Sequence, residues 1–247
     1  MCSLPSIRAP ALSPRANSCG CGLRKQIRRN LLSTTEEAPA TAPPVATGIA
    51  DPAPLGLAAF ALTTFLLSAA NAGWMGSATG NAWLGYAFAY GGLCQLLAGM
   101  WEFRNRNVFG ATAFATYGGF WIGLAIWVLL VAEAGPTSGA AALVYASKTG
   151  KDLGWILLAF AIFNTYMLIW SSQLNIAVFL VFLTLEATEV ILFIGFFANS
   201  SSVHKFGGYI GVVTALVAWY TSAAGVLNGM KGRPVVPVGG PLFRLGD

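Results

Sequence analysis

The 247 residues are 56% hydrophobic and only 9% charged, with 14 Lys and Arg against 9 Asp and Glu and a mean hydropathy of +0.66. An average soluble domain carries about 25% charge, so this composition excludes an ordinary water-soluble globule and describes a chain solvated mainly by lipid. The net charge of +5 reads as a topology signal before it reads as a hint about acidic partners, and nucleic-acid binding is not expected.

Residues 1–50 are rich in Pro, Ser, Ala and Arg, have no acidic residue before Glu36, and lack an apolar stretch long enough for a signal peptide. They are expected to form a disordered basic tail. An Arg- and Ser-rich, acid-poor beginning also fits an organelle-targeting peptide, although a cytosolic tail is the simpler reading. Cys19 and Cys21 offer two thiols with no further Cys or His nearby. A metal site takes about four ligands, so no metal and no cofactor is expected.

A spanning helix needs about 20 predominantly apolar residues to cross a hydrocarbon core of about 30 Å. Six apolar runs meet this measure, Leu55 to Trp74, Trp83 to Phe103, Ala111 to Ala132, Leu153 to Trp170, Leu174 to Phe197 and Phe206 to Leu227. They lack the ten-residue alternation of an outer-membrane barrel, and helices satisfy their own backbone in lipid. The predicted fold is an all-α membrane protein with a six-helix domain over 51–230 and a cytosolic C-terminal tail over 231–247.

The first run opens with Asp51-Pro52-Ala53-Pro54-Leu55-Gly56-Leu57. Asp51 can cap the helix while Pro supplies a preset φ in its first turn. A helix N-terminus also attracts anions, although the Asp51 side chain competes for the same donors. In the second run, Gln95 is a polar residue that can line a pathway, and Glu102, Arg104 and Arg106 at its end read as a surface anchor. Asn164, Thr165 and Asn228 are further pathway candidates, for which interhelical hydrogen bonding is the plainer account.

The fifth run contains Glu186 and Glu189, the strongest purely physical signal in the chain. An ionised carboxylate at that depth costs at least about 2.5 kcal/mol, so it should face a cavity, find a partner or stay protonated. Three-residue spacing puts both on one face, with Leu183 continuing the row. Glu186 is expected to carry a proton with a substrate anion or to set a pH response. A buried acid hydrogen-bonded to a neighbouring helix is the alternative. In the sixth run, Gly207, Gly211 and Ala215 recur at four-residue spacing and form a tight helix-packing stripe, within the protomer or between protomers. His204, the only histidine, reads as a solvated loop residue. Lys and Arg concentrate in the N-terminal segment, the second-to-third connection and the C-terminal segment, with Lys148, Lys151 and Lys205 on the other side. The positive-inside rule then places both termini in the cytosol.

No HExxH, GxSxG or GxxxxGK[ST] pattern occurs, so an enzyme is not expected. The opening motif resembles the NPAPLGL signature of the acetate uptake transporter (AceTr, YaaH) family. The stretch YGGLCQLLAGMWEFRNRNVFGATAFATYGGFW, from Tyr90 to Trp121, resembles that family's second and third spans, and GGYIGVVTALVAWYTSAAGVLN, from Gly207 to Asn228, resembles its sixth. The similarity runs from about Asp51 to Pro237.

The resemblance implies a six-helix protomer in a homo-hexamer, each protomer holding its own pathway for acetate and related small monocarboxylates, with succinate accepted by some members. It implies a hydrophobic constriction built, by motif position, from Phe60, Tyr117 and Leu183. Thr63 and Thr64, three and four residues after Phe60, put hydroxyls beside that gate, and Ala113 leaves room beside Tyr117. Thr184 and Glu186 complete the pathway candidates next to Leu183. Asp51 departs from the family's usual Asn. The expected partners are a small carboxylate, a proton and membrane lipid. The expected location is the plasma (inner) membrane, with an organelle membrane as the alternative. Competing functional readings are a channel for small anions or urea-like amides, since the family's fold resembles that of acid-activated urea channels, and a non-transporting sensor or scaffold.

Overall fold

The computed structural model describes residues 48–75, 82–130 and 149–244, with side chains in the last stretch from Lys151 onward. The basic segment 1–47, including Cys19 and Cys21, and Lys148 lie outside the described residues. Among the described residues every regular element is helical. Helix α1 is Ala53–Asn71. Helix α2 is one run over 83–104, made of a turn at Trp83–Tyr86, a π-helical stretch at Ala87–Cys94 and an α-helix at Gln95–Arg104. Then follow α3 at Val108–Val128, α4 at Thr149–Ser171, α5 at Ile176–Ala198 and α6 at Ser201–Lys231. Helices α1, α3, α4, α5 and α6 are each long and apolar enough to cross a membrane. In α2 the π-helical stretch divides the run, and its longest α-helix has 10 residues.

Local capping chemistry sets the helix starts. Asp51 Oδ1 accepts from Ala53 N at 3.0 Å, so the carboxylate satisfies a first-turn donor even though Pro52 holds the cap position. Asn107 Oδ1 accepts from Gly110 N at 3.0 Å to start α3, and Asn175 Oδ1 accepts from Val178 N at 2.9 Å to start α5. Helix α5 ends at Asn199, whose φ of 50° is left-handed. Ser200 then caps α6 through Val203 N, which starts that helix ahead of the expected Phe206. His204 therefore belongs to the first turn of α6 rather than to a solvated loop, and its ring centroid lies 4.0 Å from that of Phe196.

The most extensive contacts join α1 to α6, α5 to α6, α4 to α5 and α2 to α3. Small residues permit this closeness. A Cβ on Gly208 would lie 2.5 Å from Ala72 N, one on Gly207 2.7 Å from Leu192, and one on Gly118 2.6 Å from Leu96 N. The stripe Gly207, Gly211, Ala215 thus packs inside the chain, against α1 and α5, with Ala215 fully buried. Between α3 and α4 the space is filled by rings, with the Phe120 and Phe160 centroids 4.7 Å apart. The signature segment packs against its neighbours, because Gly56 lies under the Phe114 ring and Pro54 O accepts from Ser222 Oγ at 2.7 Å.

The C-terminal stretch folds back on the bundle. Asn228 Oδ1 accepts from Val235 N and Val236 N at 2.7 and 2.9 Å, and its Nδ2 donates to Val236 O at 2.9 Å. Ala177 N and Leu242 N extend the contact through Val238 O and Ser172 O. Asn228 clamps this segment, with both ends of its amide occupied.

Candidate functional site

Two cavities lie inside the bundle. The first, of about 90 Å³, sits toward the start of α1 and is lined by Leu57, Gln95, Asn107, Phe109, Val181 and Phe182 among others. The second, of about 50 Å³, lies further along and is lined by Thr64, Ser68, Asn71, Trp121, Thr188 and Glu189 among others. Three residues line both, namely Phe60, Tyr117 and Leu185. They form a septum of buried apolar side chains from α1, α3 and α5, and belong to one core cluster. The Phe60 and Tyr117 rings meet edge to face at 5.9 Å. Beyond the second cavity a third, of about 400 Å³, shares Leu67, Asn71, Phe120, Leu157 and Leu192 with it. The three form a row from the start of α1 to its end.

The septum corrects one expected member. Leu183 is 41% exposed and faces outward, whereas Leu185 is 6% exposed and faces Phe60 and Tyr117. Residues on a helix turn by about 100° each, so two positions move a side chain to another face. The cavity-facing row of α5 is Val181, Leu185, Glu189 and Leu192, at the i, i+4, i+8, i+11 spacing of one helical face.

The same geometry exchanges the expected positions of the acids. Glu189 is 3% exposed, and its Oε1 lies 3.2 Å from Tyr117 Oη. Glu186, expected to be nearer the constriction, is turned toward α4. There Asn164 Nδ2 donates to its Oε2 at 2.8 Å and Thr165 Oγ1 to its Oε1 at 2.9 Å. Asn164 joins the two acids. It is fully buried, its Nδ2 also donates to Phe182 O at 2.9 Å, and its Oδ1 accepts from Tyr117 Oη at 3.0 Å. A continuous chain Glu186, Asn164, Tyr117, Glu189 therefore borders the septum.

Other expected residues divide in two groups. Gln95 begins the α-helical part of α2 directly after the π-helical stretch, is 1% exposed and lines the first cavity. Thr64 lines the second cavity. Thr63, in contrast, bonds back to Ala59 O at 2.9 Å and packs against Gly91. Thr184 bonds back to Leu180 O at 2.8 Å. Neither lines these cavities. Asp51 is exposed and outside them, although Ala53 of the signature lines the first. Glu102 is no surface anchor. It is fully buried, accepts from Asn105 Nδ2 at 3.1 Å and sits against Gly110 at the start of α3, where a helix N-terminus favours an acid. Asn107, Trp121, Phe182 and Leu185 also line the cavities, beyond the expected residues. Asn107 alone carried a local signal, as an N-cap residue followed by a helical run.

Among the described residues no Lys or Arg lines either of the two inner cavities. The arrangement is an apolar septum between two small chambers, each with a few convergent polar groups. That is suited to passing or holding a small, largely desolvated molecule.

Comparison with known proteins places this geometry in context. Residues 34–239 match the GPR1/FUN34/yaaH family. Acetate permease A of Emericella nidulans is 40% identical over 204 residues, covering 76% of this chain and 65% of that protein. The chain thus spans 65% of the length of that fungal relative. The succinate-acetate/proton symporter SatP of Escherichia coli K12 is 34% identical over 193 residues, covering 78% of this chain and 97% of that one. The solved structure of the bacterial acetate channel SatP superposes with a TM-score of 0.69 at 33% identity, covering 77% of this chain and 99% of the other.

Proposed function

The chain belongs to the GPR1/FUN34/yaaH family, and from that premise we propose that it carries acetate and related small monocarboxylates across a membrane through the row of cavities. The family is one of transporters and channels rather than enzymes, and the chain is a multi-pass membrane protein. The observation that carries the reading is the septum, because Phe60, Tyr117 and Leu185 alone are common to the two inner cavities.

In this proposal α2 completes a sixth span within the domain 51–230, both termini face the cytosol, and protomers assemble as a hexamer in the plasma membrane. Gln95 receives the substrate on one side of the septum and Thr64 with Glu189 on the other. Proton coupling is part of the proposal. A bare anion crossing an apolar constriction bears a large desolvation cost, and among the described residues the lining of the inner cavities holds no Lys or Arg. Glu186 and Glu189 supply titratable groups beside the septum. Succinate, in the name of the bacterial relative, is a second substrate in this proposal.

The test is labelled-acetate counterflow in proteoliposomes loaded with unlabelled acetate at matched pH. A transient overshoot is expected and establishes saturable transport. Fast protein-dependent equilibration without overshoot turns the proposal to a channel. No protein-dependent flux overturns it.

A further inference from the structure

The second cavity contains an unmet hydrogen-bonding demand. Thr64 Oγ1 on α1, Trp121 Nε1 on α3 and Glu189 Oε2 on α5 are all buried without a partner, and all three residues line this one cavity. Their exposures are 6%, 2% and 3%. Buried polar groups are almost always paired, so three orphans from three helices around one space describe a place shaped for something that pairs with them. Neighbouring Thr188 is already satisfied by Thr184 O at 2.8 Å and by Thr214.

The chemistry of the three groups selects the ligand. Trp121 Nε1 can only donate. Glu189 Oε2 can be assigned through its neighbours. Asn164 gives its amide hydrogens to Phe182 O and Glu186 Oε2, so its Oδ1 is an acceptor and takes the single hydrogen of Tyr117. The Tyr117 oxygen is then left as an acceptor 3.2 Å from Glu189 Oε1. A proton on Glu189 belongs on Oε1, where it finds that oxygen. Glu189 lines the cavity, and its Oε2, buried without a partner, is then left as an acceptor whether or not Glu189 carries a proton. Thr64 can donate or accept. The site therefore presents a donor and an acceptor to a molecule that must return an acceptor and a donor. A carboxylate anion has no donor for Glu189 Oε2. An undissociated carboxylic acid has both, and so does a primary amide. The volume agrees, since a cavity of about 50 Å³ admits a few heavy atoms when one water needs roughly 10–15 Å³.

We propose that this chamber is a binding subsite for the undissociated form of a short carboxylic acid, its carbonyl accepting from Trp121 Nε1 and its hydroxyl donating to Glu189 Oε2. The proposal rests on the acetate reading above and assigns which form of the substrate the protein holds. The titratable groups facing Glu189 are Tyr117 on α3 and Glu186 on α5, with Tyr166 of α4 acting on Tyr117. The cavity residues from α1 are Thr64, Leu67, Ser68 and Asn71 besides Phe60, none of them titratable, and α6 contributes Thr214 behind Thr188.

The test compares acetate with acetamide, which has the same shape and donor-acceptor pair but no titrating proton. Both compete against labelled acetate for the purified full-length chain at successive pH values from about 5 to 8. Titration that affects both ligands alike cancels in the ratio of the two affinities, and Glu189→Gln removes the Glu189 proton, so a ratio that still falls with pH in that variant reports the ligand's own proton. Acetate is expected to lose about tenfold against acetamide per pH unit. Trp121→Phe, which keeps the ring and loses the donor, is expected to weaken both ligands about tenfold. Glu189→Leu is expected to weaken both, while Glu189→Gln, whose NH2 can serve Tyr117 and whose oxygen can face the cavity, retains the pattern. A ratio independent of pH, or affinities unmoved by both Trp121→Phe and Glu189→Leu, overturns the subsite. If acetate flux in proteoliposomes persists in that case, the transport reading stands and the subsite alone fails. If protein-dependent flux is absent altogether, both fail.

Discussion

The Tyr117 hydroxyl donates to Asn164 Oδ1 at 3.0 Å, and through that bond α4 fixes the phenol that α3 contributes to the septum. Asn164→Leu removes this acceptor and leaves Phe182 O and a Glu186 oxygen without the amide that serves them. The expected cost is about 1–3 kcal/mol, measured as a lower thermal midpoint of the detergent-solubilised protein. Phe60→Leu, which preserves the hydrogen-bond chain, is expected to leave the midpoint closer to wild type.

Close packing of α2 on α3 yields a paired prediction from adjacent glycines. A Cβ at Gly118 would lie 2.6 Å from Leu96 N, on backbone that cannot step aside, whereas nothing lies within 4 Å of a Cβ at Gly119. Gly118→Ala is expected to destabilise by about 1–3 kcal/mol through overpacking. Gly119→Ala is expected to be neutral or slightly stabilising, because Ala favours a helix over Gly by about 1 kcal/mol. Thermal melts of the two variants side by side check this.

The sequence made the helical runs legible because a spanning helix must be long and apolar, and that is a property of composition. It made Phe60 and Tyr117 legible through landmarks, since the signature before Phe60 and TAFATY around Tyr117 fix their register. Helix α5 lacks such landmarks near its middle and is apolar all round, so its face could not be read. Leu183, Glu186 and Glu189 do share a row, but each three-residue step turns through about 300°. The row therefore winds from the 41% exposed Leu183 to the 3% exposed Glu189. Trp121 was hidden for another reason. Its ring is ordinary core material by pattern, and only the missing partner of its Nε1 sets it apart.

Asn228 holds the returning C-terminal stretch through both of its amide groups. Asn228→Ala is expected to release the residues beyond Gly232. Limited proteolysis should then cut between Arg233 and Arg244 faster than in wild type, by tenfold or more for a loss of about 1.4 kcal/mol or greater. Cleavage at the wild-type rate would show that other contacts, such as Ala177 N to Val238 O, suffice.

The inner chambers of about 90 and 50 Å³ suit short chains. Formate and propionate are expected to compete with acetate uptake, and succinate, with a second carboxyl to desolvate, to compete at least about tenfold less well. Competition for labelled acetate uptake in proteoliposomes measures the order.

The central claim is that Phe60, Tyr117 and Leu185 close the path that acetate takes. Labelled acetate and succinate uptake by Leu185→Ala and Leu183→Ala, reconstituted in parallel, tests it most directly. Leu185→Ala should change acetate flux severalfold and raise succinate uptake relative to acetate, while Leu183→Ala, altered on an outward face, should match wild type. The reverse pattern, or wild-type fluxes in both, would contradict the account.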